Sequence, residues 1–138
     1  FPYTTLFRSA GLFSTARDVA RVYQMLLNGG EIDGQRYLSK ETCQLFTTET
    51  SKISRRGLGF DKPDADDPKK GNCAPAAPAE VYGHTGFTGT CAWVDPVNEL
   101  VYVFFSNRIY PDVTNRKLNQ LHIRERIQGA IYDAMKKK

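Results

Sequence analysis

No stretch of this 138-residue sequence stays apolar for long. The longest run, Leu100 to Phe105, has the length of a strand and falls far short of the ~20 residues a bilayer-crossing helix needs, so no membrane span is expected. Cysteine is scarce: Cys43, Cys73 and Cys91 make an odd count, with no Cys-x-x-Cys and no histidine at ligand spacing. That argues against a zinc site and a full disulfide framework. One bridge remains open without a choice of pair, and free, mostly buried thiols are the default; no metal and no cofactor is expected. Net charge is low too, +4 from 19 basic and 15 acidic residues. The surplus sits near the C-terminus, in Arg116, Lys117, Arg124, Arg126 and Lys136 to Lys138, against Glu125 and Asp133. Cations suit a helix C-terminus, so this reads as a solvated helix end and not as a nucleic-acid surface. With 41% hydrophobic and 25% charged residues, the chain is too apolar for disorder, and its length suits one domain or a piece of one. There are no internal repeats and there is no second domain boundary.

Phe1 to Ser9 have no initiating Met, no basic stretch and no apolar core, so they do not read as a signal peptide. Back-translated as TTT CCC TAC ACG ACG CTC TTC CGA TCT, they resemble a common short-read sequencing adapter. The expectation is an adapter-derived, non-native tag over 1–9 and a truncated domain over 10–138. The alternative is a genuine strand such as Tyr3 to Phe7.

Beyond that stretch the patterning is clear. Thr15-Ala-Arg-Asp18 reads as a capping box with Asp in place of Glu, followed by Val19, Val22, Tyr23, Leu26 and Leu27 on one helical face. Asn28-Gly29-Gly30 ends that helix, and Asp33-Gly34 marks a tight turn between short extended pieces. Ser39 opens a second helix with Glu41 in its first turn, running to about Phe46, with Leu38 and Cys43 placed for a hydrophobic staple. Residues 61–80 hold four of the seven prolines and few apolar side chains, and read as a long surface loop. Strands follow at Val81 to Gly86, Thr90 to Asp95 and Glu99 to Ser106, with a turn at Asp95-Pro96-Val97-Asn98. The third is expected to be buried on both faces. Ile123, Ile127, Ala130, Ile131 and Ala134 share the face of a last helix. A helix on a three-stranded antiparallel meander gives an α+β layer.

The richest stretch chemically is Tyr82-Gly-His-Thr-Gly-Phe-Thr-Gly-Thr90. Glycines weaken strands, so Gly83, Gly86 and Gly89 signal close approach of backbone or ligand. His84 and Thr85 set a titratable donor beside a hydroxyl, and the amide beyond Gly86 can serve a developing oxyanion. The plainer reading is a satisfied strand histidine beside a glycine turn. His122 reads as the start of the last helix, Trp93 as core, Asp95 as a turn initiator, and Asn107-Arg108 as a cleft border or strand cap.

His84-Thr85-Gly86 resembles the third motif of the serine β-lactamase and penicillin-binding-protein superfamily, Lys-Thr-Gly, in its His-Thr-Gly form. Ala10-Gly-Leu-Phe-Ser-Thr-Ala16, Leu27-Asn-Gly-Gly30, Gly57-Leu-Gly-Phe60, Gly83 to Gly89 and Ser106-Asn-Arg108 extend the likeness to class C-like serine hydrolases over Ala10 to about Met135. The resemblance is strongest to the module that some Bacteroidetes-type proteins carry behind a family 3 glycoside hydrolase. It implies an antiparallel five-stranded sheet with helices on both faces, of which this chain would hold the C-terminal part. It also implies a Ser-x-x-Lys nucleophile and base, and a Tyr-x-Asn or Ser-x-Asn shuttle. Carried over, His84 holds a positive or hydrogen-bonding group near that tyrosine, and Thr85 bonds the substrate carboxylate. The Phe87 amide, beyond Gly86, donates to the oxyanion. The strand edge itself pairs with substrate as an added strand.

The sequence departs from the pattern in two ways. No Ser is followed by Lys three positions later, and no Tyr or Ser by Asn two positions later. Without nucleophile and base there is no acyl transfer, so this chain alone is expected to be inactive. A neutral imidazole also attracts a carboxylate less than an ammonium does, which favours esters or D-amino-acid peptides over penicillins. The implied reading is part of an exported or periplasmic serine acyl hydrolase acting on a small-molecule or peptidoglycan-derived substrate. The alternative is a peptidoglycan- or glycan-binding module serving a fused glycoside hydrolase.

Overall fold

A computed structural model describes residues 7–9, 12–48, 53–64, 66–67 and 71–137. Phe1 to Leu6, with most of the alternative strand at Tyr3 to Phe7, lie outside the described residues, as do Ala10 and Gly11. Phe7–Ser9 (β1) pairs antiparallel with Leu12–Ser14 (β2).

Thr15 starts helix α1 (Ala16–Leu27) because its hydroxyl accepts the otherwise orphaned Asp18 N–H at 3.1 Å. Asp18 returns its carboxylate to the Thr15 hydroxyl at 2.7 Å, the closest a side chain one methylene shorter than Glu comes to the expected box. At the other end, Gly30 N–H reaches Met25 O and Gly29 N–H reaches Leu26 O, closing a Schellman motif with both glycines at positive φ. The apolar face is only half covered: Val22 is exposed, and Val19, Tyr23, Leu26 and Leu27 are half-buried against the sheet. Asp33-Gly34 connects β3 (Glu31–Ile32) to β4 (Gln35–Arg36). Ser39 then caps α2 (Lys40–Thr47) through the Thr42 N–H and bears on the Glu41 carboxyl, which backbone and Ser39 hydrogen bonds hold below the usual carboxylate range.

The centre is the meander β5 (Tyr82–Thr85), β6 (Cys91–Asp95) and β7 (Leu100–Phe104), paired in that order. Every residue of β6 is buried, whereas in β7 only Tyr102 is. The apolar run is therefore an edge strand, and the less continuous β6 takes the doubly covered place because a central strand is flanked on both edges as well as both faces. Asp95 binds the turn from within, its carboxylate accepting from the Val97 and Asn98 backbone amides at 2.9 and 3.0 Å.

Side chains alternate across the sheet. On one face Tyr82 meets Phe60 edge-on at 5.4 Å, and Phe60 meets Tyr23 of α1 at 6.1 Å. On the other, Trp93 and Tyr102 pack with Cys73, Val81 and Cys91 under Ile131 of α4 (Ile123–Met135), which follows the short α3 (Lys117–Gln120). The face that α4 buries is not the expected one. Arg124, Gln128 and Tyr132 point inward, while Ile127, Ala130 and Ala134 are exposed. Hydrogen bonds decide this: Gln128 Oε1 accepts the Ala74 N–H at 2.8 Å, and Tyr102 OH donates to Arg124 O at 3.1 Å.

The segment 61–80 also departs from a surface loop. Its start and its middle enter the core, with Asp61, Lys62, Cys73 and Ala74 buried. Lys62 Nζ donates to Glu80 O at 2.8 Å and Thr47 O at 3.3 Å, which satisfies the ammonium where it leaves water. All three cysteines are free and buried, as expected.

Candidate active site

Among the described residues β5 is an edge strand, and its neighbour on the open side is the single residue Asp61. Gly83 N–H donates to Asp61 O at 3.1 Å, and Asp61 N–H donates to Gly83 O at 2.8 Å. The Asp61 carboxylate is buried beneath the edge, bonded by Arg56 Nε at 2.6 Å with Arg55 Nη2 at 3.9 Å. Packing requires a glycine at 83. An added Cβ there would lie 2.6 Å from Trp93 Cε3, so the indole occupies the space a side chain would need.

A cavity of about 230 Å³ lies against the same strand. His84, Thr85, Gly86 and Ala92 form the sheet wall; Leu12 and Ser14 of β2 with Val19 and Tyr23 of α1 form the opposite one. The ribbon bearing the histidine thus keeps an open groove. Burial beside Cys91 pushes the Tyr23 phenol up to about 12, and desolvation pushes the Cys91 thiol to about 12, so both are neutral near pH 7.

Of the four sequence-predicted positions, His84, Thr85 and Gly86 line this groove. His84 Nδ1 lies 2.7 Å from Thr85 O. A carbonyl only accepts, so Nδ1 carries the proton and Nε2 is left to act as base or, when protonated, as a second donor. Phe87 is placed differently. The strand ends at Thr85, and Gly86 to Gly89 form a turn closed by Gly89 N–H to Gly86 O at 3.0 Å. Phe87 sits exposed in that turn, with its carbonyl accepting from Arg108 Nε at 2.8 Å. Ser14 is the serine of the groove. Its hydroxyl donates to Thr15 O at 3.4 Å, and no base bonds it among the described residues.

Trp93 is core, 1% exposed, and His122 precedes α4 away from this groove, beside Cys73 and Glu125 on a separate cavity of about 350 Å³. Sequence reasoning missed Asp61 with its arginines: the residues carry no local motif, and only the chain's return past Gly83 brings them to the edge.

A family model described as Beta-lactamase matches residues 2–125. This chain belongs to the beta-lactamase family. The family is one of serine hydrolases, and the mixed helix-and-strand arrangement with a three-stranded antiparallel sheet is the one the resemblance implies. Among curated proteins the chain is similar to one from Escherichia coli O157:H7, provisionally named D-alanyl-D-alanine carboxypeptidase, at 36% identity over 110 residues. A protein of the same name from Salmonella typhi is 34% identical. Each match covers 80% of this chain and 25% of the relative, so the chain spans about a quarter of their length. A penicillin-binding protein homolog from Caulobacter crescentus superposes with a TM-score of 0.55 at 26% identity, over 69% of this chain and 26% of that one.

Proposed function

We propose that this chain is the C-terminal portion of a serine acyl hydrolase of D-peptidase, esterase or β-lactamase type, with β5 as one wall of its acylation cleft. The groove of about 230 Å³ against His84, Thr85 and Gly86 carries this reading. An acyl-enzyme reaction needs a nucleophile, a base that takes its proton and donors aimed at the developing oxyanion. Among the described residues no serine hydroxyl is hydrogen-bonded to a lysine or another base, so what they supply most directly is the third kind. The Ser-x-x-Lys and Tyr-x-Asn pairs belong to the longer protein, and the 138 residues alone are inactive.

In this reading His84 presents Nε2 to the tyrosine and substrate, Thr85 offers its hydroxyl to a substrate carboxylate, and the Phe87 N–H is an oxyanion donor. The substrate is a small ester, β-lactam or peptidoglycan-derived D-amino-acid peptide, met outside the cytoplasm. A glycoside hydrolase domain is the fused partner. The test uses the longer protein with a chromogenic ester, a β-lactam and a D-alanyl-D-alanine peptide. Turnover of at least one is expected, with kcat/KM falling by about 10²-fold or more in His84→Ala. A rate unchanged by that substitution removes His84 from the site, and a longer protein without the Ser-x-x-Lys removes the reading.

A further inference from the structure

The turn Gly86 to Gly89 that follows β5 holds three peptide planes, and each is pinned through its carbonyl. Gly86 O accepts the Gly89 N–H at 3.0 Å, which fixes the plane joining Gly86 to Phe87. Phe87 O accepts from Arg108 Nε at 2.8 Å, and Thr88 O accepts the Arg108 N–H at 2.9 Å. Among the described residues only Tyr110-Pro111 is cis, so all three planes are trans. In a trans peptide the N–H points opposite to the carbonyl of its own plane. With Gly86 O drawn into the turn, the Phe87 N–H is therefore turned out of it.

Two of the three planes thus depend on one residue from outside the hairpin. The chain leaving β7 runs on beside the turn, where Ser106 Oγ adds a contact to Thr88 O at 3.4 Å. The Arg108 guanidinium carbon lies 4.7 Å from the Phe87 ring centroid. Gly89, at φ 96°, backs onto the same support. A Cβ added there would come to 2.5 Å from Ser106 Oγ and 3.5 Å from Arg108 Cβ. The Phe87 side chain itself is exposed and anchors nothing in the core. A short turn with glycine at both ends loses much conformational freedom on ordering, so the bonds from outside decide how sharply its amides are aimed.

We propose that Arg108 is a positioning residue for the reaction proposed above: by holding the Phe87 and Thr88 carbonyls it aims the Phe87 N–H. A donor already aimed needs no reorganisation when charge develops, whereas a turn that samples several orientations presents its amide only part of the time. Arg108 acts through the backbone and touches no reacting atom. It also leaves the Phe87 carbonyl a second lone pair for a ligand, since a carbonyl oxygen carries two. The amide's task comes from the hydrolase reading, on which this role rests; the hold on the turn comes from the bonds themselves.

Two variants isolate the donor. Glutamine places Nε2 as many bonds from Cα as the arginine Nε, and methionine places a methyl there, so Arg108→Gln keeps an N–H where Arg108→Met has none. In the ¹⁵N-labelled 138-residue chain, exchange of the buried Gly89 amide is expected to quicken about tenfold in Arg108→Met and to stay within about threefold in Arg108→Gln. The Trp93 and Val94 amides of β6 should exchange as before in both. In the longer protein, assayed on whichever of the three substrates it turns over, Arg108→Met is expected to lower kcat about tenfold or more with KM changed less than about threefold. Arg108→Gln should keep kcat within about threefold. Unaltered Gly89 exchange in Arg108→Met, equal losses in the two variants, a change in KM alone, or exchange quickened equally in β6 overturns the proposal. A longer protein inactive before any substitution refutes the hydrolase reading and the catalytic role with it, and exchange at Gly89 still decides whether Arg108 holds the turn.

Discussion

Gly83 lies beneath the indole of Trp93, so closely that a methyl on its Cα would meet Trp93 Cε3 at 2.6 Å and Ala92 O closer still. Gly83→Ala must push the strand or the ring aside, and overpacking of this kind costs about 1–3 kcal/mol. Urea denaturation is expected to show a lower midpoint at unchanged slope. A variant as stable as the original would mean that the ring has room to move.

Gln128 ties α4 to the segment that precedes β5. Its Oε1 accepts the buried Ala74 N–H at 2.8 Å, so Gln128→Leu strands a donor away from water. The expected loss is about 1–3 kcal/mol, more than Gln128→Glu, which keeps an acceptor. Thermal melts of the two variants make the comparison, and a Leu variant no worse than Glu would show the bond to be dispensable.

Alkaline pH should unfold the chain. Burial raises the Cys73 thiol from about 9 to about 11 and the Cys91 thiol to about 12, so the folded state holds protons that the unfolded state releases. The stability they contribute is intact below pH 9 and is lost as pH climbs through 11 and 12, at about 1.4 kcal/mol per pH unit for each titrating thiol. Urea midpoints measured at pH 8, 9, 10 and 11 should decline, and Cys73→Ala should flatten that decline while lowering the starting value. An equal slope with and without Cys73 would exclude it as a contributor.

Local signals read well. Thr15 and Ser39 cap their helices through a hydroxyl three residues from the amide it serves, and Asn28-Gly29-Gly30 ends α1 by hydrogen bonds that reach no further than Met25. Such interactions close within one turn of chain, so the residues that make them stand side by side in the sequence. The His84-Thr85-Gly86 stretch was visible for the same reason. Burial was read less well: periodicity assigned the inward face of α4 to Ile and Ala, and the carbonyl of Phe87 gave no sign of Arg108.

The sequence by itself determined the element types, their caps and turns and the strand that holds the candidate chemistry, because each depends on neighbours within a few residues. Tertiary structure alone decided which strand lies at the centre, which side of α4 turns inward, that Asp61 pairs with Gly83 on the β5 edge, and that Arg108 binds the Phe87 carbonyl in the turn beyond it. These depend on which distant segments meet, and a hydrogen bond between residues 21 positions apart, such as that from Arg108 to Phe87, leaves no trace in the spacing of either.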